Sequence, residues 1–161
     1  MKPLFICLFS FLLISCDHGI KPPDLPSQKT GISGTIYYNN WPPADSIENL
    51  KLVVFNNFPP DDIVAEVIAG DAIAYPEDLT EKLPIGDDST AYIMELKAGL
   101  YEYVMIAQQY GPGIFTDWRS VGQYDLSLSD SLPTAVTVIQ DSVLENINIF
   151  VDFNNLPIQP F

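Results

Sequence analysis

The chain has 161 residues, enough for one domain, and carries 21 acidic against 7 basic side chains, a formal charge of -14. A surface this acidic repels nucleic-acid phosphates and anionic lipid headgroups, which argues against nucleic acid as a partner. The two cysteines, Cys7 and Cys16, both lie near the N-terminus, so the rest of the chain has neither a disulfide nor a cysteine metal site.

Met1-Lys2 opens the chain with a small positive charge, and Leu4 to Ile14 follows as an apolar run broken only by Ser10. This run is too short to span a bilayer, which takes about 20 residues, and has the length of a signal-peptide core. It ends in Leu13-Ile14-Ser15-Cys16, which resembles the bacterial lipobox: an aliphatic residue, a small residue at the cut, then cysteine. The resemblance implies that residues 1–15 are removed and that Cys16 is lipidated, which would anchor the protein to a membrane of the cell envelope, the outer membrane being the expected one. Several acyl chains hold such an anchor, each buried CH₂ contributing roughly 0.8 kcal/mol. Residues 16–30 read as a tether, with Pro22, Pro23 and Pro26 and little apolar material. In a polyproline conformation of about 3.1 Å per residue it would reach on the order of 40 Å. His18, the single histidine, lies in it.

From Gly31 the pattern has period two, the mark of strands with one packed face and one wet face. Ile32, Gly34, Ile36 and Tyr38 share one face, and Leu50, Leu52 and Val54 share another. Tyr92, Met94 and Leu96 follow, then Tyr101, Tyr103, Met105 and Ala107 after a tight connection at Ala98-Gly99, then Val136 and Val138. Ile147, Ile149, Val151 and Phe153, alternating with Asn146, Asn148, Phe150 and Asp152, form the cleanest run. Residues 59–89 interrupt this alternation as a long acidic insertion. Within it Ile63, Val64, Val67 and Ile68 have helical spacing behind Asp62, which predicts a short capped helix within Asp61–Ala72 and irregular loop beyond. The predicted domain is 31–156, with a tail at 157–161. Six or seven short strands in one chain of this length predict an all-β domain.

Three segments carry a family resemblance. Gly31-Ile-Ser-Gly-Thr-Ile36, Leu96-Lys-Ala-Gly-Leu-Tyr-Glu-Tyr103, and Val136-Thr-Val-Ile with Asn146-Ile-Asn-Ile-Phe-Val-Asp152 resemble the opening strand, hairpin and closing strands of carboxypeptidase regulatory-like (prealbumin-like, transthyretin-like) domains. The resemblance covers roughly residues 31–153 and implies a seven-stranded Greek-key β-sandwich, from which the insertion and Trp41-Pro42-Pro43 depart. The hydroxyisourate hydrolases of that fold use histidines and a C-terminal Tyr-Arg-Gly-Ser. This chain ends Pro157-Ile-Gln-Pro-Phe161, so the resemblance does not carry that activity over.

Residue chemistry points the same way. Serine or cysteine nucleophiles need a neighbouring imidazole, and the domain has no histidine. Gly111-Pro112-Gly113 lacks the spacing and the lysine of a phosphate loop. Carboxylates are plentiful, and Asp61, Asp62, Asp87 and Asp88 are the candidate ligands of a calcium site, although they do not form a D-x-D-x-D-G loop. No other cofactor is expected. The aromatics stand out more. Trp41 precedes a Pro-Pro, and Tyr110, Phe115, Asp117, Trp118 and Arg119, the only arginine, fall in one loop-rich stretch. Such residues cap a core, bind a protein partner, or stack on sugar rings. The sequence therefore predicts a lipid-anchored, non-catalytic module that is structural or binds an envelope protein, with surface carbohydrate binding as the alternative.

Overall fold

A computed structural model describes residues 29–127 and 132–160. Residues 1–15, Cys16 and all of the tether up to residue 28 lie outside the described residues. The strands are β1 (Gly31–Asn39), β2 (Asn49–Phe55), β3 (Ala72–Tyr75), β4 (Ser89–Glu95), β5 (Gly99–Tyr101), β6 (Tyr103–Gln109), β7 (Trp118–Gln123), β8 (Val136–Val138), β9 (Val143–Leu144) and β10 (Ile149–Asp152). One helix, α1 (Ile63–Ala69), and a 3-10 turn at Ala44–Ser46 complete the described elements. The all-β class holds.

Eight strands form one mixed sheet in the order β3-β2-β6-β7-β10-β1-β4, with β9 beside the start of β1, and β5 and β8 form a separate ribbon. Neighbours are antiparallel except that β9 and β10 both run parallel to β1. Leu50, Leu52 and Val54 of β2 share one buried cluster with Tyr92 and Met94 of β4, near the opposite edge of the sheet. Strands that far apart meet only because the sheet twists and curls around its apolar face. Tyr101 of β5 with Val136 and Val138 of β8 joins the same cluster, so the ribbon packs on this core. Each such aliphatic or aromatic side chain contributes roughly 1.5–3 kcal/mol by leaving water.

Among the described residues ten strands replace the six or seven expected. The additional ones are short or poor in aliphatics, which leaves too little sequence for a period to show. β3 lies inside the insertion, where irregular loop was expected, and pairs along the outer edge of β2 from Leu52↔Tyr75 to Phe55↔Ala72. Trp118 and Arg119 open β7 and pair with Gln109 and Gln108, so the loop-rich stretch ends before them.

The closing run is also less regular than its alternation suggests. Asn146 adopts φ 65°, a left-handed conformation that asparagine tolerates better than most residues. It separates β9 from β10, and β1 is satisfied across the gap by other groups. The Ile147 amide donates to the Ser33 carbonyl (3.0 Å), and the Thr35 amide donates to the Asn148 side-chain oxygen (2.9 Å).

The helix is shorter than the periodic stretch, because Gly70 stops it at φ 82° and Ala72 already belongs to β3. Its start is as expected. Asp62 has extended backbone, and its Oδ1 accepts from the Ala65 amide at 2.7 Å. Glu66 reaches back to accept from the Asp61 amide at 2.7 Å. Seven residues do not sustain a helix alone, so α1 depends on this cap and on its docking. Asp62→Ala should lower the stability of the domain by about 1 kcal/mol, read as a shift in the urea midpoint at constant slope.

Candidate functional site

The outer face of the sheet is not wet where α1 lies. Every residue of β6 is buried, and both faces are packed. Val104 and Ile106 point into the main core, while Tyr103, Met105 and Ala107 belong to a second cluster with Val53, Phe55, Ile63 and Ala72. The expectation of one packed and one wet face fails here because α1 covers the outer face.

Register then places side chains in rows across that face. Asn49, Gln109 and Trp118 align on β2, β6 and β7. Lys51 aligns with Ala107, and Val53 aligns with Ala74 on one side and Met105 on the other. Between these rows, α1 and the loop before β7, a cavity of about 300 Å³ opens. Its floor is Asn49, Lys51, Val53, Ala74 and Gln109. One wall is the helix, through Val64 and Val67, and the facing wall is Trp118. The rim is apolar and open to solvent: Ile68, Leu79, Ile114 and Phe115 line it and are 59–63% exposed. A smaller space of about 210 Å³, between Asp61, Asp62 and Thr116, shares Ile63, Val64, Phe115 and Trp118 with it.

The loop that carries Ile114 and Phe115 of the rim is held by Asp117. The Asp117 carboxylate accepts from the Gly113 amide (2.8 Å) and the Thr116 hydroxyl (2.9 Å), and its backbone carbonyl accepts from the Tyr110 amide (2.9 Å). A Cβ on Gly113 would stand 2.4 Å from the Thr116 Oγ1, so glycine is required for this close turn. The Trp118 indole N–H donates to the Ile114 carbonyl at 2.9 Å, which ties the loop to the cavity wall. Arg119 lies over the Tyr110 ring at 5.3 Å and donates from Nε to the Gln108 side chain at 2.9 Å.

The structure thus joins Phe115 and Trp118 in one groove, with Asp117 as the organiser of its loop. Trp41 is elsewhere. It packs against the main core between Tyr38 and Phe153, at 4.6 and 4.7 Å, and donates to the Asp87 carbonyl at 2.8 Å. The two tryptophans therefore do not form one platform. Asp61 and Asp62 border the groove, whereas Asp87 and Asp88 give their backbone carbonyls to Trp41 and to the Tyr38 amide. Among the described residues no three His, Cys, Asp or Glu side chains gather as a metal-binding group.

Sequence reasoning missed Lys51. It is 2% exposed, and its ammonium donates to the Pro76 and Asp78 carbonyls at 2.8 and 2.6 Å. Burial lowers its pKa, against the raising influence of Asp78 and Glu81. Among the described residues it forms no ion pair; the ion pair there joins Lys29 and Glu95, at 2.7 Å. A lone cation inside the apolar run Leu50–Phe55 was the signal that could have found it.

No family model matches the chain, and neither a curated protein nor a solved structure matches it.

Proposed function

We propose that the chain is a lipid-anchored protein of the bacterial outer membrane whose β-domain works without catalysis as a structural or protein-interaction module, through the groove between α1 and the 110–117 loop. The anchor rests on the lipobox and Cys16. For the domain itself we propose the prealbumin-like Greek-key sandwich: the parallel neighbours β1 and β10 and the curled sheet are consistent with it. The observation that carries the functional reading is the open apolar rim. Four large apolar side chains surround a cavity and stay in water, a costly arrangement that a partner would relieve.

Carbohydrate stacking has less support. Trp41 is sandwiched between other rings, and Asp117 and Arg119 are engaged within the fold. Phe115 and Tyr110 remain exposed, too few to build a ring platform with polar groups around it.

A photo-reactive amino acid at Phe115 should give a discrete cross-linked protein in intact cells, and the same group at Phe150, exposed on another part of the sheet, should not. Equal or absent cross-linking at the two positions would refute the groove as an interface. Cys16→Ser should move the protein out of the membrane fraction, and an unchanged fraction would refute the anchor.

A further inference from the structure

We infer that the groove captures the C-terminal residue of a partner polypeptide, with Lys51 receiving the free carboxylate and the cavity receiving an apolar side chain. This rests on the groove being a protein-binding site. Three observations lead to it. First, Lys51 is a buried cation whose ammonium donates to two neutral carbonyls and forms no described ion pair, the Asp78 and Glu81 carboxylates acting on it only from beyond ion-pair distance. Buried charges are ordinarily paired, and two carbonyl acceptors leave one of the three ammonium hydrogens without a described acceptor. Second, the remaining lining supplies hydrophobic walls and two further polar side chains. Of these, Gln109 donates to the Gly111 carbonyl at 2.9 Å, and its Oε1 accepts from no described residue. A terminal residue presents one backbone N–H beside its carboxylate, which matches that free acceptor. Third, the size fits. At about 300 Å³ the cavity stands at the small end of ligand-sized pockets, the scale of one apolar side chain with its carboxylate and not of a longer segment.

Charge and chemistry separate this from other occupants. A chain of formal charge -14 does not attract anions over distance, so an acid enters only where a local cation receives it. Sugars bring many hydroxyls, and a lining this apolar leaves them unsatisfied. A fatty carboxylate satisfies Lys51 but makes no use of the Gln109 acceptor. The residues just before the terminus would lie across Ile68, Ile114 and Phe115, which gives the exposed rim its partner.

The full chain in phospholipid nanodiscs would be titrated by calorimetry with an acetylated pentapeptide ending in leucine, with the same peptide amidated at its C-terminus, and with decanoate. The free acid should bind at least tenfold more tightly than the amide, since a hydrogen bond to a charged group is lost. Lys51→Met should remove that difference. Ile68→Glu, at an exposed rim position that leaves the core intact, should weaken the acid several-fold more than the amide. Equal binding of acid and amide would overturn the inference. So would decanoate binding without peptide binding, or an unchanged acid preference in both variants. If no peptide binds while Phe115 still cross-links a protein, the terminus reading fails and the interface stands. If Phe115 cross-links nothing, the interface itself fails.

Discussion

Replacing Gly34 by alanine is expected to cost about 3 kcal/mol or more, enough to unfold most of a marginally stable domain. Gly34 lies on the inward face of β1, opposite the gap between β9 and β10. A Cβ built there stands 2.1 Å from the Ile147 carbonyl oxygen and 2.6 Å from its carbon. Neither atom can retreat easily. The Ile147 carbonyl accepts the buried Tyr92 hydroxyl at 2.6 Å, and the Ile147 amide is bonded to Ser33 at 3.0 Å. A side chain would therefore push apart two backbones that are tied on either side of it. Gly99, which has nothing within 4 Å of its Cβ position, is the control. Gly99→Ala should leave the urea midpoint unchanged or slightly raised, because it only restricts the unfolded chain. A Gly34→Ala protein as stable as the parent would contradict the backbone contact.

Tyr103 should be the most sensitive side chain of the outer cluster. It is fully buried, stacks on Phe55 at 5.8 Å and meets Phe58 edge-on at 5.1 Å, and its hydroxyl donates to Ser120 Oγ at 3.1 Å. Tyr103→Ala removes the ring on which the helix side of the cluster rests, and should cost roughly 3–5 kcal/mol. Tyr103→Phe keeps the ring and loses one neutral hydrogen bond, at about 1 kcal/mol. The two also differ in pH response. Burial pushes the Tyr103 hydroxyl from 10.0 up to about 12. The folded state thus holds this proton more tightly than the unfolded state does. The resulting stability is complete below pH 10 and is lost as pH rises through 12. A shift of that size corresponds to about 2–3 kcal/mol. Urea midpoints between pH 8 and pH 11.5 should fall less steeply in Tyr103→Phe than in the parent. Burial raises Tyr92 as well, so part of the alkaline loss should persist. Parallel curves would show that Tyr103 does not titrate in this range.

The inner faces were legible in the sequence, and the outer face was not, for one physical reason. Ile32, Ile36, Leu50, Leu52, Tyr92 and Met94 fall at two-residue spacing within their strands, so the period names their core directly. Asp62 announced its helix because a cap is a local hydrogen bond between residues close in the chain. In contrast, Val53, Tyr103 and Met105 pack under a helix that arrives from an insertion, and no local pattern specifies that docking. β7 has one aliphatic residue, Val121, in a six-residue strand, so β6 and β10 define it through pairing alone. The closing run misled for the opposite reason. Its alternation is regular, yet Asn146 turns left-handed and the asparagine at 148 replaces a ladder bond with its side chain. Of the candidate site, Phe115 and Trp118 were found through composition. Lys51 and Gln109 were not, because what distinguishes them is burial beside a cavity, a property of the assembled sheet.

The parallel pairing of β1 with β10 has a mechanical consequence. The two strands are joined at Ile36↔Ile149, Tyr37↔Phe150, Tyr38↔Val151 and Asn39↔Asp152, with Lys29 leading into one and Phe153 leading out of the other. A pull applied between those two ends draws the strands past each other along their length. It therefore loads all the ladder hydrogen bonds together, in shear, where a hairpin pulled from its open end would release them one at a time. Gly34 and the flanking Ile147 contacts lie in the same load path. A domain held by its N-terminal side against a force on its C-terminal side would thus meet that force with a four-pair parallel ladder loaded in shear.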